Sequence, residues 1–237
     1  MISSFFHAVF YAPLYNGLIY LMDLLPFFDA GVIVILFTIV VKFILFPLSI
    51  KATRAQIEMK SIEKDLARIK EEYKDNKEVQ AQKTIELYKE RNINPFAGFF
   101  VLLIQLPIII SLYRIFLKSG LPQVNTAILY GFISAPLLVN MNFLNSINIA
   151  EKSIILALLA GVSTYIQLAY ATPVKEKSVD EKPDFATTFQ SQMKYTFPII
   201  VTFISWSVSG AVSLYWITSN IFTTLQELYI RKHIHRT

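Results

Sequence analysis

Apolar runs alternate with charged or proline-containing segments along the chain. A helix of about 20 apolar residues crosses a hydrocarbon core about 30 Å thick. Three runs meet that length, at residues 30–50, 95–117 and 153–172. Two shorter runs, 195–209 and 211–230, meet at Ser209 and Gly210, a sequence typical of a tight turn. The pattern therefore predicts an all-α integral membrane protein with five transmembrane helices.

The segments outside these runs differ in character. Residues 1–28 mix aromatic side chains with His7 and Asn16, which suits a helix lying in the membrane interface better than a spanning helix. No basic residue precedes their apolar part and no convincing cleavage site follows, so we expect this segment to be retained. Between 119 and 151, prolines and asparagines interrupt the apolar pattern, and we predict an extramembrane loop with a short interfacial helix near residues 132–144.

The charged segment 51–93 carries a helical seam. Its members follow one another by three and four residues and are Met59, Ile62, Leu66, Ile69 and Tyr73, continued after a polar break by Ala81, Ile85 and Tyr88. Two antiparallel helices, at 52–73 and 78–91, would bury this seam between them. Two interpretations stay open: the hairpin binds partners, or it is a solvated charged hairpin whose seam is only structural.

Basic residues predict the orientation. Lys and Arg are frequent at 51–91, at 175–194 and in the tail, whereas none precedes Lys42. Because cytoplasmic loops are enriched in these residues, we expect the N-terminus outside and the C-terminus in the cytoplasm. The predicted segments are an interfacial helix at 1–28, transmembrane helices at 29–50, 94–118, 152–172, 194–209 and 210–230, a cytoplasmic helical hairpin at 51–93, an extracytoplasmic loop at 119–151, a flexible cytoplasmic loop at 173–193 and a cytoplasmic tail at 231–237.

Composition supports the membrane assignment and narrows the chemistry. Of 237 residues 54% are hydrophobic, and 22 Lys and Arg against 17 Asp and Glu give a net charge of +5 that is concentrated in the predicted cytoplasmic segments. That distribution indicates cytoplasmic loops rather than sequence-specific nucleic-acid binding. The absence of cysteine excludes disulfides and thiolate metal sites. No paired acids, histidine metal pair or glycine-rich phosphate loop lies on the runs, so we expect no enzyme and no cofactor.

Lys42 is a charge within an apolar run. A charge at the centre of a membrane helix costs about 2.5 to 3.5 kcal/mol. The eight residues from Lys42 to the end of the run at Ile50 span about 12 Å of helix, more than a lysine stem reaches. The amine therefore either snorkels partway to the interface or faces water inside the helix bundle, with Thr38 one turn earlier on the same face.

Other polar side chains interrupt the predicted spans. They are Gln105, Gln167, Trp216 and Asn220. Amide side chains either join helices through hydrogen bonds or face a hydrated path, and tryptophan is ordinarily an interface anchor. One cation on a neutral polar surface favours an anionic passenger, so moving something polar across or into the bilayer fits better than catalysis.

Several blocks of the sequence resemble the YidC/Oxa/Alb family of membrane protein insertases. They are IVVKFILFPLSIKATRAQ, the charged helical pair after it, YKERNINPFAGFFVLLIQLPIIISLYRIF and SGAVSLYWITSNIFTTLQELYI. The likeness extends over nearly the whole chain and is most specific at 94–107 and 214–220. The sequence is similar to the family's short form, without the large extracytoplasmic domain.

The resemblance implies a five-helix core around a hydrophilic groove that is open to the cytoplasm and to lipid. Nascent membrane proteins would enter this groove and release their helices into the bilayer without ATP or a redox cofactor. By the same resemblance the groove is lined by Lys42, Thr38, Gln105, Gln167, Trp216 and Asn220. The hairpin seam, from Met59 to Tyr73, would belong to the element that receives substrates or partners.

The resemblance also implies a location and partners. The location is the bacterial plasma (inner) membrane, and the partners are nascent membrane proteins, the ribosome, the Sec translocon and membrane lipids. The family commonly has arginine at the position of Lys42, so the charge is kept here while the bidentate fork for carboxylates is lost.

Two other functions stay open from the residues alone. A small-molecule or ion transporter with Lys42 as counter-ion should have repeat-related broken helices and an acidic partner at mid-membrane, and the sequence displays neither. A scaffold or assembly chaperone would bind partners through the hairpin and would not use the groove.

Overall fold

The apolar runs form helices in the structure, a computed structural model that describes residues 2–94, 97–117, 121–171 and 185–234. The α-helices are α1 (Ile2–Phe6), α2 (Ala12–Leu24), α3 (Ala30–Ile44), α4 (Phe46–Ser61), α5 (Glu63–Glu72), α6 (Lys77–Glu90), α7 (Ala97–Leu117), α8 (Ile154–Ala171), α9 (Phe185–Ser207) and α10 (Gly210–Ile234). A π-helical turn, His7–Tyr11, joins α1 to α2, and a 3-10 turn, Thr126–Ile128, precedes strands β1 (Asn142–Phe143) and β2 (Ile147–Asn148).

The chain divides into two compact units. The first unit is Met1–Phe43 with Pro107–Thr237, and the second is Ile44–Leu106. By length and hydropathy, no helix of the described residues alone meets the criteria for a membrane span, and α3 with α4 as far as Met59 meets them only as a bent pair taken together.

In the first unit, α8 packs against both α9 and α10. Small residues allow the close approach of α8 to α9, since a Cβ added to Gly161 would meet Thr202 Oγ1 and would lie 3.1 Å from the carbonyl oxygen of Pro198. Leu156, Ala157 and Ala160 of α8 are buried. The size of residue 161 therefore sets the distance between the two helices.

The long loop before α8 closes one end of this unit. Ala30 N, at the start of α3, donates to the carbonyl of Asn140 at 2.7 Å. At the start of α10, Gly210 N donates to the Glu151 carbonyl at 2.7 Å, and Ala211 N donates to the Ile149 carbonyl at 3.0 Å. Loop carbonyls thus satisfy amides that the first turns of two helices leave without partners.

Side chains of α2 hold the same loop. Asn16 is buried; its amide donates to the Ile128 carbonyl at 2.9 Å, and its side-chain oxygen accepts from Tyr130 N at 2.7 Å. The Tyr15 hydroxyl accepts from Asn125 N at 2.7 Å. Burial raises the pKa of the Tyr15 hydroxyl above its ordinary value.

Asp29 links the start of α3 to the loop. One carboxylate oxygen accepts from Val32 N at 2.9 Å, which caps the helix, and the other accepts from Leu144 N at 3.1 Å.

The interfacial helix predicted near residues 132–144 is wrong. That stretch is mostly irregular backbone without a helix, and it leads into a hairpin in which Phe143 pairs with Ile147. Leu144 and Asn145 turn the chain with φ of 50° and 55°. Asparagine tolerates the left-handed region better than most residues, and Gly131 and Pro136 both disfavour helix. The backbone preferences of these residues therefore prevent the helix that the apolar content suggests.

The first predicted span, 29–50, also ends early. α3 stops at Ile44 and α4 begins at Phe46. Pro47 has no amide hydrogen and its ring would clash with the carbonyl four residues before it, so it is tolerated in the first turn of a new helix and breaks a continuous one.

The second unit contains the charged hairpin. Its buried cluster is Ile62, Leu87 and Ile93, and the side chains packed against it are Met59, Leu66, Ile69 and Tyr88. The assignment of Ile85 to the seam is wrong, because this side chain is 52% exposed. Asn76 caps α6 by accepting from Val79 N at 3.1 Å, and the Gln80 amide donates to the Lys70 carbonyl at 2.9 Å, which ties α6 to α5.

Of the flexible loop predicted at 173–193, residues 173–184 lie outside the described residues and the rest belongs to α9.

Candidate functional site

Lys42 is held between two helices of the first unit. It lies in the last turn of α3, half-buried, and its Nζ donates to Thr223 Oγ1 of α10 at 3.1 Å. The neighbouring rings of Phe43 and Phe222 meet edge to face with centroids 5.2 Å apart. A polar contact and an aromatic contact thus fix the same point of α3 against α10.

The surroundings of this amine are neutral. In the part of the chain that the structure describes, Lys42 forms no ion pair with a carboxylate. An ammonium group has three donors, and the Thr223 hydroxyl accepts one of them. The remaining donors can bind water or an anionic group that enters from outside.

Asn220 joins α10 to α8. Its Nδ2 donates to Ser163 Oγ at 3.0 Å and to Thr164 Oγ1 at 2.8 Å. Those two hydroxyls in turn donate to the carbonyl of Ala160. All three polar side chains are buried, so Asn220 acts here as a cross-helix link rather than as an exposed lining group.

Thr38 is also removed from solvent. Its side chain is fully buried, and its hydroxyl donates to the Val34 carbonyl of its own helix at 2.6 Å. Threonine commonly back-bonds to the carbonyl four residues earlier, and this satisfies the hydroxyl inside α3. The structure therefore argues against Thr38 as a residue that offers its hydroxyl to a ligand.

The remaining predicted groove residues are described by their burial and by their positions on the helices. Gln167 and Trp216 are half-buried. Gln167 lies one turn after Ser163 on α8, and Trp216 lies one turn before Asn220 on α10, so they extend the faces that carry the α8–α10 link. Gln105 belongs to the second unit, and its assignment to the groove stays a prediction.

An apolar pocket of about 280 Å³ opens between α8 and α10. It is lined by Leu159, Val162, Ser163, Ile166, Ile217, Ile221, Thr224 and Leu225. Thr224 donates its hydroxyl to the Asn220 carbonyl and Ser163 donates to the Ala160 carbonyl, so the hydroxyl hydrogens point away from the pocket. The pair α8 and α10 therefore has a hydrogen-bonded seam beside an apolar recess.

Sequence reasoning missed the role of Thr223. Several hydroxyl residues follow Trp216 in the sequence, but nothing in their order distinguishes the hydroxyl that reaches Lys42 from those that bond within α10, such as Thr218 to Leu214. The available signal was the pair of adjacent Phe and polar residues, Phe43 beside Lys42 and Phe222 beside Thr223.

The hairpin residues predicted to contact partners differ in how deeply they are buried. Ile62 is fully buried in the cluster of the second unit, and Met59, Leu66 and Ile69 pack against it partly buried. Tyr73, at the C-terminus of α5, is half-buried. A partner would therefore meet the charged outer faces of these helices before it met the seam.

Comparison with known proteins gives consistent matches. The family model described as 60Kd inner membrane protein matches residues 22–237. A membrane protein insertase YidC of Fusobacterium nucleatum subsp. nucleatum is 29% identical over 205 residues, which cover 85% of this chain and 86% of that protein. Proteins with the same name from Francisella philomiragia and from Francisella tularensis subsp. novicida are 30% identical over 207 residues, which cover 87% of this chain and 33% of theirs. The chain thus spans a third of the length of the Francisella relatives.

Proposed function

The chain belongs to the family of the 60Kd inner membrane protein, the YidC/Oxa/Alb family, and on that premise we propose that it is a membrane protein insertase. Its substrates are nascent membrane proteins, which bring a short polar tail to the Lys42 region and then release their apolar helix into lipid. The topology is the five-span arrangement with the N-terminus outside, in the bacterial plasma membrane.

The observation that carries this proposal is the state of the Lys42 amine. It is half-buried, held by the neutral Thr223 hydroxyl, and forms no ion pair within the described residues. A cation in this condition attracts an acidic tail without first having to break a salt bridge. Lysine acts as a point charge, so it attracts carboxylates without imposing the two-pronged geometry of arginine.

The apolar pocket between α8 and α10 supports the second half of the proposal. A passenger helix needs an apolar surface as soon as its polar tail has moved. The recess beside the Asn220 link provides such a surface within the same pair of helices that carries polar groups. Transfer of the helix into lipid supplies the driving force, and no cofactor takes part.

The hairpin of the second unit is the proposed receiving element for the ribosome or the Sec translocon. Its exposed faces carry Lys and Glu side chains in short-range pairs such as Lys83 with Glu86 at 2.7 Å. Such exposed pairs contribute little to stability, so this surface can exchange them for contacts with a partner.

A transporter with Lys42 as counter-ion is less favoured. That function requires an acidic partner in the membrane, and Glu227, the buried acid on α10, forms no ion pair with Lys42 in the described residues.

The decisive experiment is insertion of a short single-span test protein with an acidic outer tail into liposomes that contain the purified protein. Lys42→Glu should reduce insertion by about tenfold, which corresponds to about 1.4 kcal/mol, and Lys42→Arg should retain it. Lys152→Glu, an exposed site with the same charge change, is the matched control.

Equal insertion by the parent and by Lys42→Glu would reject the role given to Lys42. Absence of insertion by the parent, with solute uptake in the same liposomes, would reject the insertase function in favour of transport.

A further inference from the structure

The loop that closes one end of the first unit has an apolar tip. Phe132, Leu137 and Leu138 are 79%, 100% and 90% exposed. The tip is not a loose end, because Tyr130 N is bonded to Asn16 on one side of it and the Asn140 carbonyl accepts from Ala30 on the other. Two hydrogen-bonded anchors therefore hold apolar side chains outward.

The chemistry of the loop indicates what covers this tip. From residue 119 to residue 150 the sequence has no Asp, Glu, Lys or Arg. An average segment of that length would have about eight charged residues. A water-exposed loop or a protein-binding surface with a polar rim would normally include some of them. A neutral apolar loop with aromatic residues matches the boundary between lipid headgroups and acyl chains.

The surroundings of the tip are apolar as well. Phe27 and Phe28 are exposed next to Asp29, the residue that binds the loop at Leu144. Where the loop leads into α8, Ile154 and Ile155 are exposed. Exposed apolar side chains therefore occur both at the loop tip and in the segments to which the loop is attached.

We propose that the loop tip formed by Phe132, Leu137 and Leu138 inserts its side chains into the outer leaflet of the bilayer. The backbone of the tip is not helical, and unpaired backbone groups are not tolerated in hydrocarbon. Its polar groups stay among hydrated headgroups while the three side chains enter the acyl-chain boundary. This inference rests on the proposed membrane topology, which puts the loop outside.

The absence of cysteine in the chain makes a direct test possible. Leu137→Cys and Leu138→Cys, each labelled with a nitroxide, are reconstituted in vesicles of phosphatidylethanolamine and phosphatidylglycerol. Collision rates with oxygen, which concentrates in lipid, and with a water-soluble nickel chelate are compared by electron paramagnetic resonance. Gln123→Cys, exposed in the same loop, is the matched control.

We expect oxygen to dominate at 137 and 138 and the nickel chelate to dominate at 123. Dominance of nickel at all three sites would overturn the inference, since the tip would then lie in water. Poor access of both probes at 137 and 138 would overturn it as well, because the tip would then be covered by protein, which in these vesicles means a second copy.

A separate arm tests the topology. In intact cells, a membrane-impermeant maleimide should label Gln123→Cys from outside. Labelling from outside together with nickel dominance at 137 and 138 would reject only the inserted tip. Failure of outside labelling would reject the proposed orientation, and with it the outer-leaflet assignment.

Discussion

The Lys42 amine and the Thr223 hydroxyl are 181 residues apart in the sequence and 3.1 Å apart in the structure. This bond joins the last turn of α3 to the middle of α10. It leaves the lysine without an acidic neighbour among the described residues, so the hydroxyl orients the amine while its charge is not neutralised. Under the proposed insertase function, that combination would keep the cation available to a substrate with an acidic tail.

Thr223→Val tests the orienting role. The change keeps the shape of the side chain and removes the acceptor, so one ammonium donor must find water instead. We expect insertion of a test protein with an acidic tail to fall by about three- to tenfold, the effect of losing about 1 kcal/mol of hydrogen bonding. A neutral tail should be affected less.

Thr223→Ser keeps the hydroxyl acceptor and should insert the test protein as well as the parent does. Thr218→Val is the matched control, because its hydroxyl bonds within α10 to the Leu214 carbonyl. If the two valine variants behave alike, the bond to Lys42 has no orienting role.

Asn220→Ala tests the link between α8 and α10. Hydrogen bonds between membrane helices contribute roughly 0.6 kcal/mol each, so loss of the two bonds to Ser163 and Thr164 should lower the free energy of unfolding by about 1 kcal/mol. Unfolding by a denaturing detergent in mixed micelles measures this difference. Ser207→Ala, an exposed hydroxyl bonded within α9, should change stability by less than half as much, and a larger effect there would contradict the assignment.

Gly161→Ala tests the close packing of α8 on α9. The added methyl meets Thr202 Oγ1 and the Pro198 carbonyl, and overpacking of this kind costs about 1 to 3 kcal/mol, offset by up to about 1 kcal/mol from the better helix propensity of alanine. We expect a net loss of stability that Thr202→Ala in the same chain partly reverses. Thermal unfolding in micelles measures both.

Gly131→Ala is the control for that change, since no atom lies within 4 Å of its added Cβ. It should alter stability by about 0.5 kcal/mol or less. Equal destabilisation at 131 and 161 would show that the packing contact is not the cause.

Asp29→Ala tests the connection between α3 and the loop. It removes the oxygen atoms that accept from Val32 N and Leu144 N. We therefore expect the free energy of unfolding to fall by about 0.5 to 2 kcal/mol and amide hydrogen exchange to become faster at both residues. Asp29→Asn retains one carbonyl acceptor, so its stability should lie between that of the parent and that of Asp29→Ala. Unchanged exchange at Leu144 in the alanine variant would mean that the loop is held without Asp29.

Much of the helical architecture follows from the apolar runs, because a single segment such as 153–172 can form all its backbone hydrogen bonds away from water only as a helix. Boundaries are less predictable, as the early end of α3 shows, since the run continues past Pro47 while the backbone hydrogen bonding does not. The loop before α8 was misjudged at 132–144 because its apolar content suggested a helix, whereas turn residues and distant contacts to Asn16 and Asp29 determine its path.

The candidate site shows the same division. Sequence identifies which polar residues occur on the helices, and it indicated Lys42 and Asn220 as unusual in their surroundings. It does not identify the acceptor that a hydroxyl selects: Thr38 bonds within its own helix, whereas Thr223 receives a bond from another one. That choice depends on how close the neighbouring helix comes, which is a property of packing rather than of local sequence.

The pocket between α8 and α10 has a consequence for selectivity. Its two hydroxyl residues, Ser163 and Thr224, donate their hydrogens to carbonyls of their own helices. The recess is therefore left with dispersion forces, which have no direction and favour no particular side-chain order. Under the proposed insertase function, an apolar helix resting there would therefore be bound without directional contacts, and substrate helices of different sequence would be accepted alike.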